Sequence, residues 1–386
     1  MTIYISEELL SFSKNTQLIL STHSSRLIRN VLKSNADSSI FHVFADRQYT
    51  NIKKMNTIED KKEKYRITEK EANYYFSKFI LFVEGESELQ LFQNEILLKL
   101  FPDLRNIDIA PGCSNDVILN LSLPTKRNTN IPYVLLLDLD KIIAHNKMTN
   151  KFSIRHRIKI NPLSSENDKL HEREKFFYGS KRFRTYNNRK RINAIVNECK
   201  FHFDKNWFYI NDDLFFELKE VIHEYSLEYN VFTLDTTIEG VIINIENYSI
   251  FYEWLMQWED KTSKRGLIQE ILNVDFIEEI YLPFYKLTIL RLLFKGKYDN
   301  LNNIVNVKDE TTDKYDIDEY AKNIYAKIAD IGPSKKTNGW IDDFLDYFYK
   351  NYIKDLKTRD EKKKTFRKYF PELYSILKKI TNYAFY

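Results

Sequence analysis

Two short runs with no polar residue constrain this chain more than any other feature. They are FILFV at 79–83 and YVLLL at 133–137. A strand with one wet face alternates apolar and polar side chains. A strand that never alternates must be covered on both faces, which is the situation inside a parallel sheet flanked by helices. Between the two runs lies SELQLFQNEILLKLF, where Leu89, Phe92, Ile96 and Leu100 recur at helical spacing, and then NIDIAPGCSND, a strand ending in a glycine turn. Strand, helix, strand, loop, strand is the rhythm of an α/β domain. Only 8 Gly and 8 Pro occur in 386 residues, about 4% against a usual ~12%, which favours helices over tight turns.

Around this centre the pattern predicts a short buried strand at 16–20 (TQLIL), another at 40–45 (IFHVFA) and a short helix at 68–78. The rhythm breaks from about 141 to 205 and resumes at 229–245 (YNVFTLDTTIEGVIINI). From about 249 onward the segments are helical, with aromatic residues at helical spacing that belong to a core. No internal repeat is evident. The expected fold class is therefore α/β: a parallel sheet flanked by helices, followed by a largely helical C-terminal region.

Some expectations are negative. MTIYISEELL has neither a basic nor an apolar segment of a secretory signal, and the longest apolar runs fall far short of a membrane span. Cys113 and Cys199 are too few for a disulfide framework or a zinc site. A cytoplasmic protein with no membrane association is expected. The net charge of +4 is uninformative, but its distribution is not. Residues 141–205 hold 17 Lys or Arg against 6 Asp or Glu, and SKRFRTYNNRKR at 180–191 contains six basic and two aromatic side chains. Lys181, Arg182, Arg184, Arg189, Lys190 and Arg191 suit contacts to DNA phosphates. The bland alternative is a solvated loop.

Acids follow both apolar runs. Glu84 ends the first, with Glu86 and Glu88 after a single glycine, Gly85, and Asp138 and Asp140 close the second. In a parallel sheet the functional crevice lies beyond the C-terminal strand ends, so Glu84, Glu88, Asp138 and Asp140 could meet there. Such carboxylates repel one another unless a hard divalent cation with oxygen ligands joins them. Two such ions would favour in-line attack on a phosphodiester. Taken singly, EGESE could be a solvated helix start and DLD is common.

In combination, a Glu-Gly turn after one strand, Gly112 after a second, and Asp-x-Asp after a third about 55 residues on resembles the topoisomerase–primase (Toprim) domain. Many topoisomerases carry a third acid two residues further, where this chain has Ile142. FVEGESE, with its second acid at Glu88, looks like the OLD (overcoming lysogenization defect) nucleases, in which Toprim follows an ABC-type ATPase domain. TQLILSTHSSRLI agrees, resembling the switch-histidine segment of ABC ATPases with His23 as the nucleotide-sensing residue. A histidine beside a helix cap is the plain alternative. The resemblance further implies an acid after a later strand, Glu239 with Asp235 as competitor, and a late lysine that neutralises the cleaved phosphate, Lys336 or Lys335 in GPSKKTNGW.

The resemblance implies three parts: residues 1–67 as the end of an ABC-type ATPase domain, 68–250 as a Toprim nuclease domain with a basic insertion at about 141–228, and 251–386 as a helical domain carrying the late lysines. No GxxxxGK[ST] phosphate loop occurs, so ATP enters only if another polypeptide or a missing part supplies the ATPase. The implied activity is DNA cleavage at a two-metal site holding Mg²⁺ or Mn²⁺ through Glu84, Glu88, Asp138, Asp140 and Glu239, with Glu84, Asp138, Asp140 and a late lysine catalytic. The implied setting is anti-phage defence, with homo-oligomerisation and with an ATPase subunit, reverse transcriptase or helicase as partner. Two rivals stand beside it: a non-catalytic DNA- or partner-binding module, and a topoisomerase- or primase-like enzyme.

Overall fold

The computed structural model describes residues 16–34, 38–46, 48–113, 116–146, 151–164, 181–198, 213–273, 282–294, 314–332 and 339–385, together with 8, 9, 11 and 279. The fold is α/β, with a four-stranded parallel sheet flanked by helices and a helical C-terminal region. Its strands are β3 (Ile80–Val83), β4 (Asp108–Pro111), β5 (Tyr133–Leu137) and β8 (Val231–Thr233), in spatial order β4-β3-β5-β8. The apolar runs sit at the middle of that order because they have no face to offer to water: every residue of β3 and β5 is buried. The register pairs Ile80 with Asp108 and Tyr133, and Phe82 with Ala110 and Leu135.

The chain divides into two compact parts. One comprises Met1–Gly85, Asp103–Leu135 and Tyr383–Tyr386. Here Ser24 caps α1 (Ser25–Lys33), its side chain accepting from the Leu27 amide at 3.2 Å. Ile28 and Leu32 on α1 pack with Ile40 against Met55, Ile58, Ile67, Tyr75 and Leu121. β1 (Phe41–Asp46) pairs antiparallel with β2 (Tyr49–Lys54) as a separate ribbon. The expected strand at 40–45 is thus real but lies outside the main sheet. The strand expected at 16–20 is not formed, and Ile19 and Leu20 are exposed: among the described residues no strand pairs with this run, and without a ladder its apolar side chains gain no buried face. A helix capped reciprocally by Thr68 and Glu71 leads toward β3.

The other part comprises Glu86–Pro102 and Leu136–Asn382. Its first segment is not one helix but two, α2 (Glu86–Gln93) and α3 (Glu95–Leu100). Asn94 divides them by capping the second, its side-chain oxygen accepting from Ile96 and Leu97 while its amide donates to Asp342 at 2.6 Å. The basic region contains the hairpin β6 (Ile143–Asn146) and β7 (Lys151–Ile154), followed by α5 (Lys181–Glu198) and α6 (Asp213–Leu227); α4 (Asp116–Ser122) precedes them in the chain. The segment 181–191 is therefore helical, not a loop. Phe152 of β7 stacks on Phe215 of α6 at 5.1 Å, which seats the hairpin.

After β8 come α7 (Ile238–Ile242), α8 (Tyr248–Gln257), α9 (Arg265–Leu272), α10 (Leu282–Leu293), α11 (Lys314–Ile331), α12 (Trp340–Phe348), α13 (Arg359–Tyr369) and α14 (Pro371–Phe385). The expected aromatic core is present. Phe251 lies edge-on to Phe344 at 4.7 Å and to Phe294 at 5.1 Å, and Phe294 lies 4.7 Å from Trp340. Each such ring buries a large apolar area between the helices that present it. Arg291 of α10 donates to the carbonyls of Ile243 (2.7 Å) and Gly240 (3.1 Å), tying down α7.

Candidate metal centre

Backbone hydrogen bonds fix the ends of β3 and β5 before any side chain is considered. The amides of Gly112 and Cys113 both donate to the carbonyl of Val83, at 2.8 and 3.0 Å. This grip needs glycine: Gly112 has φ +95°, and a Cβ there would lie 2.7 Å from Cδ1 of Ile118. At the end of β5 the amide of Leu234 donates to Leu137 (2.9 Å), and that of Leu139 to Thr236 (3.1 Å). Asp138 then opens a single 3₁₀ turn, Leu139–Lys141, which carries Asp140.

Because Phe82 stands opposite Leu135, two further residues along each strand bring Glu84 level with Leu137, one position from Asp138. Oxygen atoms of Glu84, Asp138 and Asp140 lie within 4.8 Å of one another. Asp138 is buried and the other two are half-buried. Three hard oxygen donors at this spacing, one of them withdrawn from water, could hold a hard cation that takes oxygen ligands. Among the described residues this is the group of acids, histidines and cysteines arranged to hold an ion.

Glu88 and Glu239 are not members of that group. Glu88, 5% exposed, occupies the first turn of α2, and Glu239, 1% exposed, occupies the first turn of α7, accepting from the Thr237 hydroxyl at 2.8 Å. Asp235 is committed elsewhere: it accepts from His223 (2.8 Å) and lies 3.6 Å from Lys219. His23 is exposed, one residue before the cap of α1, with its ring 5.6 Å from Phe76. Lys335 and Lys336 lie outside the described residues.

Of the basic positions, all six fall on α5. Arg184 and Lys190 are exposed and Arg189 is half-buried. Arg191 pairs with Glu217 at 2.7 Å, so its charge is partly spent within the protein. Of Lys181 and Arg182 only the helical backbone position is described.

Beyond the end of β8 is an arrangement that no spacing in the sequence announces. Thr233 meets Nδ1 of His223, Nε2 of the same ring meets Asp235, and the Asp235 amide donates to Glu372 at 2.7 Å. Burial pushes the Asp235 carboxyl upward, but the hydrogen bond with His223 and the charge of Lys219 outweigh it and hold it below the ordinary value. Burial, reinforced by the charge of Asp235, pushes Glu372 up to about 7.

No protein-family model matches the chain, so its function has to be read from these residues. No helix among the described residues is long and apolar enough to cross a membrane.

Proposed function

We propose that this chain is a divalent-metal-dependent DNA endonuclease or nickase of the OLD type, acting in defence against phage and regulated by an ATPase supplied from elsewhere. One observation carries the reading. Glu84 and the Asp138–Asp140 pair leave different strands, more than 50 residues apart in sequence, yet their oxygen atoms gather within 4.8 Å. Acids brought together by tertiary structure are costly to keep, and a cation site explains why the chain keeps them.

Glu84, Asp138 and Asp140 would hold Mg²⁺ or Mn²⁺. The ion supplies Lewis-acid polarisation of a phosphoryl oxygen and lowers the pKa of bound water. The chain's own residues supply position. Val83 and Leu137, fixed by their backbone bonds, aim the carboxylates, and burial of Asp138 keeps water from competing for its oxygens. Arg184 and Lys190 on α5 grip the DNA backbone, and Lys336 or Lys335 stabilises charge on the cleaved phosphate. Glu88 and Glu239, both buried acids in first helical turns, would complete the ligand set at a second ion.

The test is nicking of supercoiled plasmid in Mg²⁺ or Mn²⁺. Activity lost in the Asp138→Ala, Asp140→Ala double variant supports the proposal. Wild-type activity in that variant, with its fold verified by circular dichroism, refutes it.

A further inference from the structure

A cleft lined mainly by cations lies in the helical region, on elements other than those that carry the acids of the metal centre. This cleft of about 300 Å³ is lined by Lys99, Leu100, Tyr349, Lys357, Arg359 and Lys362. Four of its six lining residues are cations and none is an acid. The volume sits at the lower end of the ~300–1,000 Å³ range of small-ligand sites.

The surrounding sequence carries the same sign. Residues 349–368 hold nine Lys or Arg and three Asp or Glu. Two nearby acids are engaged: Glu361 turns back to accept from the Thr358 amide at 2.9 Å, and Glu95 pairs with Lys99 at 3.3 Å. Hydrogen bonds to the Leu100 carbonyl from Nε (3.1 Å) and Nη2 (2.9 Å) hold Arg359 in place. They use two of its five N–H donors, so a fixed guanidinium still presents donors of the fork geometry that suits phosphate oxygens. Lys362 lies 5.8 Å from the centre of the Tyr349 ring, which places an aromatic face beside the cations.

Lys99 is offset by Glu95, but Lys357, Arg359 and Lys362 remain like charges on one cleft, and a bound polyanion relieves their repulsion. We propose that this cleft binds the phosphates of a nucleotide, either free or within a polynucleotide backbone. A cation cluster beside an aromatic ring on a volume this small fits a phosphate with one sugar or base. The site is independent of the metal centre, so its failure leaves the nuclease reading untouched.

The experiment measures binding of pyrophosphate, ATP and a labelled 20-base-pair duplex to the full chain in EDTA, where the metal centre takes no part. The variants are Lys357→Ala/Lys362→Ala and Lys357→Glu/Lys362→Glu, which spare Arg359 and its bond to Leu100. Each lost charge-assisted contact is expected to weaken binding roughly tenfold. Loss with ATP and pyrophosphate assigns a free nucleotide, and loss with the duplex alone assigns the backbone. Either supports the proposal. Binding of all three probes that is absent in the wild type, or unchanged in both folded variants, overturns it.

Discussion

Asp138→Asn is the substitution that reasoning about the carboxylate triad must survive. It keeps shape and removes one charge from the buried member of a group whose oxygens lie within 4.8 Å. At that distance two unit charges repel by about 0.9 kcal/mol at the dielectric of water and about 3.5 kcal/mol at an effective dielectric of ~20. Two pairs are relieved, with Glu84 and with Asp140, and both partners are half-exposed, so the lower figure governs and the relief is about 2 kcal/mol. In EDTA the variant should melt a few degrees above wild type. With Mn²⁺ or Mg²⁺ the order should reverse: an ion at 100 times its Kd stabilises the wild type by about 2.7 kcal/mol, while the variant, short of one anionic ligand, gains far less. Differential scanning fluorimetry in EDTA and across a metal titration reads both effects. A variant that melts no higher than wild type in EDTA, with an unaltered metal response, would show that these acids neither repel nor share an ion.

Three further outcomes are expected. Gly112→Ala must place a Cβ at φ +95° and 2.7 Å from Ile118. It should cost on the order of 1–3 kcal/mol, read as a lower denaturation midpoint, because the turn that grips Val83 is strained. Glu372 is raised to about 7, so the folded state holds a proton that the unfolded chain releases near pH 4.5. Its contribution is complete below about 4.5 and lost as pH rises through about 7. Melting temperature should fall across that window in the wild type and stay flat in Glu372→Gln; a wild-type profile with no fall there refutes the assignment. Arg184→Glu with Lys190→Glu should weaken duplex binding and reduce the slope of log affinity against log salt by about 2, near 0.9 per lost phosphate contact. An unchanged slope would remove α5 from the DNA-binding surface.

How much of this was legible in the sequence depends on how local the governing physics is. The centre of the sheet was readable because FILFV and YVLLL lack a polar position, and burial on both faces follows from that alone. The partner strand β2 was not: YTNIKK is exposed along its whole length and shows no alternation. The helical run 86–100 carried one amphipathic pattern across a break, because periodicity does not register Asn94 turning its side chain to cap the second half. In α5 the apolar residues Ile192, Ile195 and Val196 gather in the C-terminal part, which leaves KRFRTYNNRKR without a helical period. The run TQLIL shows the opposite failure, since its apolar composition meets no partner strand among the described residues.

The same distinction separates the parts of the candidate site. Glu84, Asp138 and Asp140 could be singled out because they follow apolar strands closely, and a parallel sheet puts all such positions at one end. Adjacent registers then do the rest, with no long-range information beyond the order of the strands. The network around Asp235 obeys no such rule. Its members come from β8, from α6 twelve residues upstream and from α14, with Glu372 137 residues away, and only packing decides that they meet. The consequence for the two open acid positions is specific. Asp235 and Glu239 both follow β8, Glu239 as the candidate and Asp235 as its competitor, and Asp235 is held by His223 and Lys219 on one side and its amide by Glu372 on the other. Glu239 is a buried carboxylate that accepts from the neutral Thr237 hydroxyl. A cation would have to compete with two basic groups to reach Asp235, and that competition by itself makes Asp235 the weaker ligand. Glu239→Gln should therefore impair metal-dependent cleavage more than Asp235→Asn. The reverse order, measured as initial nicking rates at saturating Mn²⁺, would assign the ligand to the His223 network instead.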